Sequence, residues 1–376
     1  MVSAVGAMIT GLCLLQTLPH APREPNVAEP QAVTRPRPGQ PLIPMHGLAL
    51  QVHWADDVVA RLGPLMGEIA ALGANSVTIS LSGYQKHAAT WRIWSDRERT
   101  PRPEDVKSLI AVAQAHGLRV ILMPKILLSE PRGSEWRGRI QPPSWDDWFE
   151  QYRRFIVGWA RTAEQAHVEV FVVGSELVTT EKKTEHWLRT IRDVRQVFHG
   201  QLAYSANWDH YSKIEFWPQV DLIGLTTYYE LSDQEMPSVA QLVEAWQPIK
   251  RDILNWQATA AKPLLFTEVG WASQPGCSIE AWNYYRSNTS SAEGLEEQRR
   301  CYEAFARVWA DVPRLAGTIW WEWTGQAGGP QDSGYSPRGK PAEEVLRAWF
   351  AGQNPRHTSN HMSDELPRTP TSTRAE

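Results

Sequence analysis

Two glutamates stand at the ends of short runs of β-favouring residues. Val168-Glu169-Val170-Phe171-Val172-Val173-Gly174-Ser175-Glu176-Leu177 carries the first, and Pro263-Leu264-Leu265-Phe266-Thr267-Glu268-Val269-Gly270-Trp271 the second, with Glu268 92 positions beyond Glu176. Leu264 to Thr267 reads as a strand buried on both faces, which Pro263 can open because a first residue need not donate to the ladder. An ionisable group directly after a buried strand of an α/β protein points into the mouth of the sheet or barrel. Two such carboxyl groups are what glycosidic bond cleavage requires. One protonates the leaving oxygen, and the other attacks or assists at the anomeric carbon.

The elements that must position this pair alternate along the chain. Strand patterns run over Met45 to His53, Asn75 to Leu81, Leu118 to Lys125, Val168 to Gly174, Leu202 to Asn207, Val220 to Tyr228, Pro263 to Thr267 and Leu315 to Trp323. Helical patterns fall between them: Asp56 to Leu72, Pro103 to His116, Ser144 to His167, Lys182 to His199, Ser238 to Ala261 and Leu295 to Ala310, with Pro341 to Phe350 closing the series. Ser144 is a candidate N-cap, Pro103 suits a first turn, and Gly117 and Gly200 are natural stops. Eight strands, nearly every one followed by a helix, predict a single (β/α)8 TIM barrel over residues 45–352 rather than an open doubly wound sheet. No Gly-x-Gly-x-x-Gly follows the first strand, which removes the main sequence argument for a dinucleotide fold.

The remainder of the chain narrows the classes of function. With a net charge of -4 and a pI of about 6.3, the 376 residues show no basic stripe, so no nucleic-acid partner is expected. Nineteen tryptophans suit both core filling and stacking on sugar rings. Cys13, Cys277 and Cys301 form no zinc-ligand pattern, and His357 with His361 read as solvated tail, so neither metal nor cofactor is expected. Residues 1–18 resemble a signal peptide or membrane anchor through the apolar run Ala4 to Leu18. Residues 19–44, with eight prolines, read as an extended linker, and residues 353–376 as a disordered tail. Together these favour a secreted, periplasmic or membrane-anchored protein without an obligate protein partner.

The predicted strand ends bring His53, Lys125, Ser175, Glu176, Asn207, Trp208, Tyr228, Glu268, Trp320 and Glu322 to one rim, with Trp271 close behind. Trp320 reads as a sugar platform, while Trp208 and Trp271 suit a platform or the core equally. His53 fits a scaffold or a binding role. Lys125 fits a salt bridge or a sugar contact, and Glu322 a structural or substrate-orienting role. The loop around Pro131 to Trp148 and the segment Ala272 to Gly294 are long enough to wall a cleft.

Gly174-Ser175-Glu176-Leu177 and Thr267-Glu268-Val269-Gly270-Trp271 resemble the two catalytic motifs of clan A glycoside hydrolases. With Thr226-Thr227-Tyr228-Tyr229 and Trp320-Trp321-Glu322-Trp323, they resemble glycoside hydrolase family 113 most, over Met45 to Phe350. The resemblance implies a retaining double displacement on a β-linked, mannan-like substrate, with Glu176 as acid/base, Glu268 as nucleophile and Tyr228 as a donor to it. Carboxyl groups about 5–5.5 Å apart would accompany retention, and about 6.5–9.5 Å inversion. Many clan members carry Asn before the acid/base to bind the substrate 2-hydroxyl. Ser175 stands there instead, so Asn207 or Lys125 are alternative sources of that contact. A catalytically inactive glycan-binding barrel and a transglycosylase using the same two glutamates are the competing readings.

Overall fold

The computed structural model describes residues 44–353, apart from residues 313, 326 and 327. Eight parallel strands close into a ring: β1 (Met45–Val52), β2 (Ser76–Gln85), β4 (Arg119–Leu128), β5 (Val170–Ser175), β6 (Gln201–Ala206), β7 (Leu222–Thr226), β8 (Leu264–Val269) and β9 (Leu315–Trp320). β1 pairs with both β9 and β2, which completes the closure. Among the described residues, seven α-helices surround the ring: α1 (Val58–Ala71), α2 (Pro103–Ala115), α3 (Trp145–Gln165), α4 (Thr184–Arg195), α5 (Val239–Ala260), α6 (Ala292–Trp309) and α7 (Pro341–Phe350). This is the (β/α)8 architecture expected from the alternation. The readings of residues 1–18, 19–44 and 353–376 lie outside the described residues, save for the boundary positions 44 and 353. No helix of the described residues is long and apolar enough to cross a membrane.

Local sequence accounts for the helices. Ser144 accepts a hydrogen bond from the Asp147 amide at 3.2 Å and so caps α3, satisfying one of the donors a helix start leaves free. Within α3, Trp148, Tyr152, Ile156, Trp159 and Ala163 recur at helical spacing and form the buried stripe against the barrel. Ser238 and Gln241 make a reciprocal capping box at the start of α5.

The strands differ from expectation at their ends. β2 and β4 run past Leu81 and Lys125 and stay paired as far as Gln85 and Leu128, where the two-residue β3 (Ile93–Trp94) adds antiparallel to β2. Buried Gln85 sustains the extension. Its amide donates to the carbonyls of His87, Ala88 and Thr90, and its oxygen accepts from Trp148 Nε1 at 2.8 Å. The eighth strand stops at Trp320, so Trp321 to Trp323 belong to the mouth rather than to the ladder.

Both strands that carry the glutamates contain a register shift just before them. Val172 pairs with Ala203 but Ser175 with Ser205, three steps on β5 against two on β6. Likewise Leu225 pairs with Phe266 but Thr226 with Glu268, one step on β7 against two on β8. An extra residue in a strand re-aims the side chains that follow it. On β8, Phe266 faces outward onto Phe305 and Trp309 of α6, whereas the next residue, Thr267, meets Ser205 in the barrel at 2.7 Å.

Behind Glu176 lies a tight aromatic cluster. A Cβ on Gly174 would come within 2.7 Å of the Trp187 ring and 2.9 Å of the Tyr204 ring, which explains glycine there. Tyr152 donates to the Val173 carbonyl at 2.7 Å, and Trp187 Nε1 to the Thr180 carbonyl at 3.0 Å, so the cluster braces the strand end on both sides. Gly174→Ala is therefore expected to cost about 1–3 kcal/mol of stability through overpacking. Denaturant unfolding checks this, and an unchanged midpoint would contradict the tight packing.

Candidate active site

Glu268, at the end of β8, is buried with both carboxylate oxygens occupied. Lys125 of β4 donates to Oε1 at 2.6 Å and the Tyr228 hydroxyl to Oε2 at 2.8 Å. Lys125 is itself buried, and its ammonium lies 3.9 Å from the centre of the Trp321 ring, a cation–π contact that offsets part of its lost hydration. Burial lowers the Lys125 pKa, and the Glu268 charge opposes that shift.

Glu176 is buried across the mouth, where its carboxylate is ion-paired with Arg137 from the loop between β4 and α3. Its backbone is left-handed, with φ of 52°, an unfavourable conformation for a residue with a Cβ and one that clusters at functional sites. Burial raises the Glu176 pKa. Arg137 pulls it down, Glu268 pushes it up, and Lys125 pulls it down again. The two carboxyl groups therefore lie within each other's field, yet their partners differ: a lysine and a phenol for Glu268, an arginine for Glu176. Behind Glu176, Glu181 accepts from the Tyr204 hydroxyl at 2.8 Å, and burial raises its pKa to about 8.

Glu322 joins this group from the segment after β9. Gln51 of β1 donates to it at 2.7 Å, and burial moves its carboxyl up to about 7. His53 is exposed at the rim and lines a recess with Gln51, Glu322, Trp323 and Tyr335. Partial loss of hydration against the recess wall, and then the Lys125 charge, lower its pKa. Ser175 is buried and its hydroxyl has no hydrogen-bond partner.

Three tryptophans weighed as sugar platforms stand elsewhere. Trp320 is fully buried on the helix side, stacked on Tyr302 at 4.6 Å and packed against Phe305 and Trp349, so it belongs to the core. The ring facing the mouth is its neighbour Trp321, because the strand ends between them. Trp271 is likewise fully buried among Trp246, Tyr302 and Phe305. Trp208 packs on Tyr229 at 5.0 Å and lines a separate groove with Pro248 and Ile249 of α5. Asn207 donates its amide to Asp209 at 2.5 Å.

Arg137 and Gln51 are site residues that sequence reasoning missed, and within Trp320-Trp321-Glu322-Trp323 it singled out Trp320 rather than Trp321 as the platform. Arg137 sits in a long loop read only as a wall, where no strand periodicity points to any one side chain. Gly270 has a related role, since a Cβ there would meet the Trp321 carbonyl oxygen at 2.2 Å. Its lack of a side chain lets the segment carrying Trp321 and Glu322 close over the end of β8.

A (β/α)8 barrel with a buried glutamate at the mouth end of its fourth strand and another at its seventh has the architecture of a clan A glycoside hydrolase. The sequence profile of glycoside hydrolase family 113 matches residues 54–340, and the chain belongs to that family. No curated protein matches the chain. Among solved structures it is similar to the family 113 β-mannanase AaManA from Alicyclobacillus acidocaldarius, determined in complex with ManMIm. The identity is 27%, over 83% of this chain and 98% of that one, with a TM-score of 0.74. A family 113 β-1,4-mannanase complex shares the fold at 24% identity, over 82% and 99% of the two chains, with a TM-score of 0.69. The β-glucuronidase of Faecalibacterium prausnitzii shares only the fold, at 13% identity over 83% of this chain and 49% of that one, with a TM-score of 0.57.

Because Arg137 pulls the Glu176 pKa down against burial, Arg137→Gln is expected to raise it further. Titration of carboxyl-labelled glutamate by NMR reads this directly in wild type and variant. A fall, or no change, would contradict the pairing.

Proposed function

We propose that this chain is a retaining hydrolase of β-linked, mannan-type polysaccharide, with Glu268 as nucleophile and Glu176 as acid/base. The observation that carries the reading is the pair of buried carboxyl groups in unlike environments, the arrangement that lets one act as base or nucleophile while the other delivers a proton. Glu268, fixed through both oxygens by Lys125 and Tyr228, suits attack on the anomeric carbon, forming a glycosyl ester as the bond to the leaving oxygen breaks. Glu176 gives its proton to that oxygen. Once Glu268 is esterified its negative charge is gone, and with it the push that raises the Glu176 pKa. Arg137 and Lys125 then act with less opposition, so Glu176 stays ionised after giving up its proton and is free to take one from water. Water attacks the same anomeric carbon and the original configuration returns.

Two further contacts complete the reading. Trp321, held against Lys125, offers a flat apolar face for a sugar ring. Ser175, whose hydroxyl is unpartnered but buried, stands where many clan members carry the asparagine that binds the substrate 2-hydroxyl. The mannan assignment rests on family 113 membership together with the named β-mannanases among the similar structures. A polymeric substrate accords with the exported location suggested by residues 4–18.

Assays of purified protein on β-mannan, glucomannan, cellulose and xylan are expected to give the highest kcat/KM on β-mannan. Proton NMR of the first product should show the β anomer, and an α anomer appearing first would sink the retaining assignment. Glu176→Gln should lose about 10²–10⁴-fold in kcat on glycans and less on aryl glycosides whose leaving group needs no proton. Full turnover on glycans in either Glu176→Gln or Glu268→Gln would remove that residue from its role.

A further inference from the structure

Three of the four large aromatic side chains exposed among the described residues, Trp282, Tyr284 and Tyr285, fall in the loop between β8 and α6. Tyr285 is 74% exposed and Tyr284 46%, whereas Tyr228, Trp321, Trp323 and Tyr335 are buried. The two rings lie 4.0 Å apart with their hydroxyls in contact, so they present a joint surface. The loop beneath them is tied down. Buried Gln274 donates to the Tyr284 carbonyl at 2.8 Å and accepts from the Ser287 amide at 3.0 Å, and Glu280 holds Asn283 at 2.9 Å and Arg286 at 3.3 Å.

This surface is continuous with the reaction centre. Tyr284 packs on Tyr335 at 5.7 Å, Tyr335 on Tyr228 at 6.1 Å, and Tyr228 donates to Glu268. The Tyr284 phenol also lies within the fields of Arg137, which holds Glu176, and of Glu322. The run Tyr285–Tyr284–Tyr335–Tyr228 thus leads from open solvent to the nucleophile, passing from exposed rings to buried ones.

We propose that Tyr284 and Tyr285 form a distal subsite that stacks a pyranose ring of the same β-linked glycan chain, beyond the sugars flanking the scissile bond. Two observations select a sugar over another occupant. Rigidly held, exposed tyrosines match the mixed apolar and hydroxylated faces of a pyranose ring, since each offers a flat apolar body and a polar tip. A glycan threaded past Glu268 and Glu176 must also leave along a wall of the mouth, and this aromatic wall leads to Tyr228, which donates to Glu268. The subsite rests on the glycosidase reading and gives it a consequence, because binding energy gathered remote from the reacting bond favours long chains over short ones.

The test uses the full chain and the double variant Tyr284→Ala/Tyr285→Ala, whose exposed positions leave folding intact, as equal melting temperatures would verify. In wild type, kcat/KM is expected to rise from linear β-1,4-mannotriose to mannohexaose. The variant should lose about tenfold of that rise, the loss of one stacked ring. If wild type is active and the rise is the same in both proteins, the subsite is overturned while the enzymatic reading stands. If wild type cleaves none of the glycans, the enzymatic reading fails, and affinity electrophoresis in gels containing β-mannan or glucomannan decides the subsite. Retardation of wild type that the variant loses would support it, and equal or absent retardation would overturn it.

Discussion

Two buried cations hold two buried carboxylates at the mouth of this barrel, and the rest of the site depends on that arrangement. At an effective dielectric constant near 20, unit charges about 4 Å apart interact by about 4 kcal/mol. Two bare carboxylates sharing a desolvated mouth would therefore force a proton onto one of them regardless of substrate. Lys125 and Arg137 divide the problem, one for each acid. Their origins differ in a way that matters. Lys125 belongs to β4, paired through Ser82 to β2, while Arg137 comes from the loop that follows. The carboxylate held by Lys125 is thus fixed by the ring of strands and a tyrosine. The one held by Arg137 is fixed from a loop outside the ring of strands, and its charge must change twice in the proposed cycle.

The barrel itself was legible because eight strand patterns and the helices between them each bury a face at their own period. Both glutamates were legible for the same reason, as polar residues at the exact points where apolar strand runs stop. What the sequence could not reveal was the register. The extra residue before Glu176, and the one between Phe266 and Val269, break simple alternation, so parity counting along β5 or β8 aims side chains at the wrong layer. Trp320 and Trp321 show the consequence of one position: the first is sealed beneath α6 and the second faces Lys125. Trp271 fell to the core because α6 supplies Tyr302 and Phe305 to cover it. Arg137 lay in an irregular segment with several arginines, and only the folded loop distinguishes it from Arg132 and Arg139.

Close packing behind the mouth lets the site hold unfavourable states. Glu176 keeps a left-handed backbone while Tyr152, Trp187 and Tyr204 fill the space around Gly174. Gly270 admits the Trp321 backbone against the end of β8. Buried Glu297 plays a similar part further out, accepting from the amides of Met236, Gly276 and Ser278 and from the Ser278 hydroxyl, which fixes the start of the loop that carries the exposed tyrosines. Cys277 and Cys301 are buried free thiols in the same region, so the loop is held by hydrogen bonds and packing rather than by a crosslink.

The central claim, that Glu268 forms the bond to the sugar, is tested most directly by trapping the intermediate. A 2-deoxy-2-fluoro β-mannosyl or manno-oligosaccharyl fluoride should glycosylate the enzyme once per chain with release of fluoride, and peptide mapping by mass spectrometry should place the label on Glu268 within Leu264 to Trp271. A label on Glu176 or Glu322 instead would contradict the account.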